Sequence, residues 1–286
     1  MSTPPFLDLP AGVRPERLTT RRGTLAALVA DASAEPVGSA VPVLLVPGYT
    51  GSKEDFIAVL EPIAAAGHPV TAIDLRGQFE SPGDDEPTAY DLAALADDVL
   101  ALAGVIGRPL HLVGHSLGGL VARAAALADP VAFATLTLLD SGPAAIPHPA
   151  ASNLGLLVQA LPTMDLESIW VAKRRIESAT EATPPPPHIE DFLHRRFVAN
   201  HPLALLRLAE QLLAETDRVA ELARVDVPLL VAYGADDDGW PPTVQAEMAA
   251  RLGATVAEIP HAAHSPAAEN PAATAHVLTT FWKAAQ

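Results

Sequence analysis

Short apolar runs of strand length recur along this chain, separated by stretches with helical spacing. The runs are TLAALVA (24–30), PVLLVP (42–47), PVTAID (69–74), PLHLVG (109–114), TLTLLD (135–140), PLLVAY (228–233) and TVAEI (255–259). Most are bounded by turn residues, as strands are. Between them, Leu92, Leu95, Val99 and Leu100 fall on one face of 88–103, with Asp91 and Asp98 elsewhere. Val244, Met248 and Leu252 recur every four residues in 243–252. Ser52 and Asp55 of SKED stand at capping-box spacing and open a helix through 52–66. Strands that are apolar on both faces must be covered on both. The alternation therefore predicts an α/β fold, a mainly parallel, doubly wound sheet with helices on each side.

The alternation stops between residues 141 and 225. Helical patterns continue there (152–161, 165–180, 189–200, 202–215) without a convincing strand, and TPPPPH occupies 183–188. Four successive prolines break a helix and form a stiff, extended connector. We read 141–225 as an all-helical cap or lid inserted into a core made of 1–140 and 226–286. No internal repeat or low-complexity tail is present.

Composition narrows the function. A chain of 286 residues, 49% hydrophobic and 18% charged, can bury a full core. Its 18 Lys and Arg against 34 Asp and Glu leave a net charge of −16. That field repels phosphate backbones and anionic lipid, so neither nucleic acid nor membrane is an expected partner. The absence of cysteine excludes disulfides, thiolate catalysis and thiolate metal ligands. The first residues lack an apolar core behind a basic head, and no run approaches the ~18 apolar residues of a membrane span. A cytoplasmic location is expected.

The stretch Gly114-His115-Ser116-Leu117-Gly118-Gly119 follows a buried-type strand and precedes a helical pattern. A serine on such a turn is forced into a strained backbone conformation. Gly114 and Gly118 leave room for the bend, and Gly119 lets the helix pack on the sheet. The hydroxyl is lifted above the sheet edge at a helix N-terminus, where N–H groups point outward. A neutral hydroxyl is a poor nucleophile, so it needs a base, and the base needs an orienting carboxylate.

Of the ten histidines, His264 in IPHAAHSPAAENP lies after the last predicted strand, at the same sheet end as Ser116; His261 is its close rival. His115 abuts the serine and is expected to point the other way. His111 lies inside a strand, and His68, His148, His188, His194 and His201 lie in connections or the insertion. In VAYGADDDGWPP, Asp236, Asp237 and Asp238 directly follow a strand, and chemistry alone does not separate them. The order Ser, Asp, His along the chain is that of a strand–turn–helix serine nucleophile. An oxyanion needs two donors. The N–H of Leu117 is one, and in LLVPGYTGSKEDF the tight turn at Gly48 offers the N–H of Tyr49 as the other.

On these residues the chain resembles the α/β-hydrolase superfamily, in its serine-hydrolase branch with a helical cap, from about residue 20 to 285. GHSLGG matches the nucleophile elbow, and PGYTG resembles the oxyanion turn, with Pro47 where many members carry histidine. DLRGQFES (74–81) is similar to the D-x-R-G-x-G-x-S loop, but Phe79 stands where glycine is usual, which implies a structural role. In the G-x-x-D-x-x-x-P pattern, Gly234, Asp237 and Pro241 align, so the resemblance selects Asp237; its H-S-P loop selects His264. Some members carry the acid one strand earlier, which makes Asp140 the reserve, alongside Asp238.

The resemblance implies a carboxylesterase-like enzyme. It would cleave an ester or related acyl bond of a small, uncharged substrate through an acyl-serine intermediate, with no metal or organic cofactor. Acyl transfer, lactone opening, perhydrolysis and carbon–carbon hydrolysis are the neighbouring chemistries, and a non-catalytic ligand-binding member is the remote one. Serine rather than aspartate at 116 argues against epoxide and haloalkane chemistry. His261 and His264 lack further ligands at metal spacing. Trp170, Ile169, Leu156 and Leu157 in the insertion, Trp240 after the acid, and Pro143 and Ile146 at the start of the cap are candidate pocket walls. Helical spacing fits packing between helices equally well. An acidic surface disfavours anionic substrates.

Overall fold

The computed structural model describes residues 1–33, 41–177 and 184–285. Its eight strands are β1 (Val13–Thr20), β2 (Gly23–Ala30), β3 (Val43–Val46), β4 (Val70–Ile73), β5 (Leu110–His115), β6 (Phe133–Leu139), β7 (Leu229–Gly234) and β8 (Thr255–Ile259). They form one sheet in the order β1-β2-β4-β3-β5-β6-β7-β8. From β4 to β8 every neighbouring pair is parallel. The exception is at one edge, where β1 and β2 form an antiparallel hairpin and β2 runs antiparallel to β4.

All seven predicted strands are present; β1 is the addition. Its sequence VRPERLTT carries Arg14, Glu16 and Arg17, and most of its side chains are exposed or half-buried. An edge strand of this kind has no continuous apolar run to betray it, and its charges discourage pairing with another chain.

The helices are α1 (Ile57–Ala65), α2 (Leu92–Ile106), α3 (Leu117–Ala128), α4 (Ala150–Ala160), α5 (Leu166–Glu177), α6 (Pro187–Val198), α7 (Pro202–Ala214), α8 (Val219–Leu222), α9 (Pro242–Leu252), α10 (Pro266–Glu269) and α11 (Pro271–Ala284). The Ser52–Asp55 capping box is formed and opens a short 3-10 turn that leads into α1. Side-chain alternation along the strands sorts the core into two layers. Leu44 and Val46 of β3 face the layer containing α2, α3 and α9. Val43 and Leu45 face the layer of α1 and α11, where Trp282 is fully buried.

Between β6 and β7 the described residues contain helices α4 to α8 and no strand. Pro184 to Pro186 lie outside any helix, and Pro187 is the first residue of α6, where the missing N–H is not needed. Thr183 of the proline run and residues 178–180 of the helix predicted over 165–180 lie outside the described residues. The insertion has an apolar cluster of its own, including Trp170, Phe192 and Phe197. Both of its ends are tied to the core at one point. Buried Arg123 of α3 donates to the carbonyl of Pro143 at 2.6 Å and to Glu215 at 2.7 Å. The N–H of Ala145 meets the carbonyl of Glu215 at 2.8 Å, and that of Ile146 the carbonyl of Leu212 at 2.9 Å. No helix among the described residues is long and apolar enough to cross a membrane.

Helix α3 approaches the sheet so closely that a Cβ on Gly118 would strike the carbonyl oxygens of Val46 and Pro47. Backbone cannot yield as a side chain does. Gly118→Ala is therefore expected to cost about 1–3 kcal/mol or more, read from urea denaturation. An unchanged midpoint would contradict this packing.

Candidate active site

The carboxyl ends of β5 to β8 lie side by side, because these strands are parallel neighbours. His115 pairs in register with Leu139, Leu139 with Ala232, and Gly234 with Ile259. Residues just beyond these ends share one sheet edge, although they are far apart in sequence.

Ser116 is the turn between β5 and α3. Its φ of 54° and ψ of −119° place it in a region that non-glycine residues avoid, at a cost of about 1–3 kcal/mol. Packing offsets that cost. The N–H of Ser116 donates to the carbonyl of Leu139 at 2.9 Å, and its own carbonyl accepts from Gly119 at 2.9 Å. His264 occupies the loop after β8, and its Nε2 lies 3.0 Å from the Ser116 hydroxyl. On the other side of the ring, Nδ1–H donates to Asp237 at 2.7 Å. The same Asp237 oxygen accepts from the N–H of Gly239 at 2.7 Å, and the second accepts from the amide of Gln245 at 2.6 Å. Burial alone would raise the Asp237 pKa, but the bond to His264, its charge and the Gly239 donor outweigh burial and hold it below the ordinary carboxylate range.

Geometry separates the three acids that chemistry could not. Asp237 is buried behind the imidazole, whereas Asp236 and Asp238 are exposed, Asp238 at the wall of the cavity described below. His261 is exposed at a positive φ of 55° and forms no part of the chain of bonds. His115 does not point away from this region, as its position beside the serine suggested. Its ring is buried, and Nε2–H donates to the main-chain carbonyl of His264 at 2.6 Å. Burial and the nearby His264 push its pKa down to about 4, so it is a neutral prop for the loop.

Asp140 lies directly beyond β6 at a φ of 45° and is fully buried. One of its oxygens accepts from the N–H of Gly234 at 2.9 Å; the other, Oδ2, is buried without a donor. A carboxyl oxygen of Asp140, one of Asp237 and a ring nitrogen of His264 all lie within 4.8 Å of one another. At an effective dielectric near 20, two negative charges at that separation repel by about 3 kcal/mol or more. Burial first, then the charge of Asp237, holds the Asp140 carboxyl well above its ordinary range. These three residues are also the one described group whose side chains could jointly ligate a metal; the His264 nitrogen that faces Asp237 is committed to it.

Beside the serine, a Cβ on Gly48 would fall 3.0 Å from that of Ser116, which measures how near the 47–51 turn comes. Leu117 is the first residue of α3, so its N–H has no acceptor within the helix. The N–H of Tyr49 has no acceptor among the described residues either. Two main-chain donors are thus unengaged next to the hydroxyl. The turn is braced from behind. The Tyr49 hydroxyl donates to the carbonyl of Leu205 at 3.0 Å, and the amide of Gln78 donates to that of Gly48 at 2.9 Å. Phe79 adopts the positive φ of 40° that glycine would favour, and its ring packs edge-on against Phe192 of α6 at 5.7 Å. Buried Lys53 spans this loop, contacting Asp74 at 3.0 Å and Glu80 at 2.9 Å.

A cavity of about 620 Å³ opens from Ser116 and His264 beneath the insertion. Its walls include Ile146, Leu154, Leu157, Ile169, Phe197 and Leu212. Leu156 also borders it and is largely exposed. Pro143, Trp170 and Trp240 are not in the wall. Trp170 packs on Phe197 at 5.7 Å inside the insertion, Trp240 lies buried 6.1 Å from the His264 ring, and the Pro143 carbonyl serves Arg123. Gln245, Gln78 and Leu212 carry no signal in the sequence. No spacing marks a buried glutamine as a brace, and Leu212 looks like any other apolar residue of its helix.

The chain matches a family model described as the alpha/beta hydrolase family over residues 43–277. It is 31% identical, over 236 residues, to a Variovorax paradoxus protein named as a carbamate hydrolase, RutD, covering 78% of this chain and 84% of the relative. A pimeloyl-[acyl-carrier protein] methyl ester esterase from Neisseria meningitidis is 29% identical over 234 residues, covering 78% and 71%. Among solved structures, a hydrolase from Pseudomonas aeruginosa PA01 superposes with a TM-score of 0.75 at 25% identity, covering 95% of this chain and 99% of that one.

Gln245 is fully buried and supplies donors to both Asp237 and the carbonyl of Trp240. Gln245→Leu removes both and leaves those acceptors short of donors. A loss of about 1–3 kcal/mol is expected in chemical denaturation; an unchanged stability would show that the amide is dispensable.

Proposed function

The chain belongs to the alpha/beta hydrolase family, and from that premise we propose that it is a serine hydrolase, carboxylesterase-like, acting on an ester or related acyl bond of a small, uncharged substrate. One observation carries the reading: an unbroken line from Asp237 through His264 to the Ser116 hydroxyl, at 2.7 and 3.0 Å. With Nδ1–H given to Asp237, Nε2 presents its lone pair to the serine. That tautomer lets the imidazole accept a proton.

In the proposed cycle, Ser116 Oγ attacks the acyl carbon while His264 takes its proton. Charge collects on the former carbonyl oxygen, between the N–H groups of Tyr49 and Leu117. A donor of this kind is worth about 10²–10³ in rate. The Asp237 carboxylate stabilises the imidazolium, which then protonates the departing alcohol. Water enters, gives its proton to His264 and attacks the acyl-serine; the proton returns to Ser116 as the acid is released. No step calls for a metal or organic cofactor.

We further propose that residues 141–225 act as the cap that shapes the substrate site over the 1–140 and 226–286 core. The apolar walls of the cavity suit an acyl chain, and a net charge of −16 disfavours anionic substrates. A second reading, hydrolysis of a carbamate, is favoured by the relative named for that reaction. Release of ammonia from a carbamate panel, set against acid release from an ester panel, separates the two.

Ser116→Ala is expected to lower ester hydrolysis by about 10⁴-fold or more while leaving the thermal midpoint in place. Near-normal turnover by that variant would defeat the assignment.

A further inference from the structure

We propose that Asp140 and Asp237 share a single negative charge beneath His264, with Asp140 carrying the proton, and that Asp140 is a positioning residue able to take over the acid's task when Asp237 is removed. The inference rests on the reading of Ser116, His264 and Asp237 given above. The position of Asp140 follows from the sheet. It leaves β6 beside β7, its N–H donates to the carbonyl of Ala232 at 2.9 Å, and its carboxyl accepts from Gly234, three residues before Asp237. Two loops thereby bring two carboxyls to one imidazole, all three within 4.8 Å.

Both carboxyls cannot ionise there. Asp140 is fully buried, and the N–H of Gly234 is the one donor it accepts from among the described residues. Its carboxyl otherwise hydrogen-bonds the carboxyl of Asp237, a bond that takes a proton between them. Asp237 has three donors: His264, Gly239 and Gln245. The charge belongs where the donors are. The other groups facing the pair agree. Glu269 of α10 adds a further negative charge against ionisation of Asp140, and His115, buried and neutral, brings no cation. The proton on Asp140 makes it a donor rather than a second anion, which explains how a carboxyl with a buried oxygen that lacks a donor is tolerated at this place.

A raised carboxyl pKa has a defined consequence for stability. The native state holds the Asp140 proton in a pH range where the unfolded chain has released it, so this group's contribution is complete at low pH. It is lost as pH rises from the ordinary aspartate range through the raised value. Asp140→Asn has no such proton, so its thermal midpoint should gain on the wild type as pH rises.

The test compares Ser116→Ala, Asp237→Asn, Asp140→Asn and the Asp237→Asn/Asp140→Asn double variant on one ester, with kcat and KM followed across pH. Asp140→Asn should lose about three- to tenfold in kcat with KM unchanged. Asp237→Asn should keep activity clearly above that of Ser116→Ala, rising with pH as Asp140 ionises in its place. The double variant should fall at least about tenfold below Asp237→Asn. The inference is overturned if the single and double variants are equally active, or if Asp140→Asn alone is as damaging as Asp237→Asn. If Asp140→Asn does not fold, Asp237→Asn decides alone: residual activity at the level of Ser116→Ala at every pH rejects the inference. Activity of Ser116→Ala itself would instead reject the underlying reading.

Discussion

One imidazole is bonded on both sides, and the rest of the site is arranged to keep it so. His264 has no secondary structure of its own to hold it. Its ring bonds Asp237 and faces Ser116, and its carbonyl is held by His115 at the end of β5. These partners come from the end of β5 and the loop after β7, and they meet His264 because four parallel strands end at one edge of the sheet. The strain stored at Ser116 is tolerable for the same reason, since the backbone around it is bonded to the adjacent strand and to the first turn of α3.

Around this centre the protein uses buried ion pairs as fasteners, within the core and between it and the insertion. Arg196 of α6 is completely buried. It donates to Asp55, beside the 47–51 turn, at 2.6 Å and to the carbonyl of Ser2 at 2.6 Å. Arg123 clamps both ends of the insertion, and Lys53 knits the 74–81 loop. Such pairs contribute little net stability over well-packed apolar residues, but losing one partner strands a buried charge. Their value here is geometric. They fix the insertion and the donor-bearing turn relative to the serine.

Much of this could be read from the sequence. The apolar runs of β2 to β7 are largely buried on both faces and so announce themselves, whereas β8, at the sheet edge, is mostly exposed. The motif around Ser116 demanded a base and an acid at the same sheet end, and that requirement alone reached the His264 loop and the aspartate triplet. What stayed hidden was whatever has no periodic or compositional signature. β1 is charged and half-exposed, so it looks like a loop. Trp170 and Trp240 are large and apolar, which marks burial but not direction, and both turn into packing instead of into the cavity. The braces Gln245 and Gln78 are polar residues whose role exists only after folding. Asp140 was visible only as an alternative to Asp237; that the two approach the same ring is a fact of three dimensions.

The central claim is that His264 makes the Ser116 hydroxyl reactive. It is tested most directly by the rate at which a fluorophosphonate labels the protein, with the modified residue identified by mass spectrometry. The account predicts a stoichiometric adduct on Ser116 in the wild type, and labelling slower by orders of magnitude in a folded His264→Ala variant. Equal rates in the two proteins, or an adduct on another residue, would contradict it.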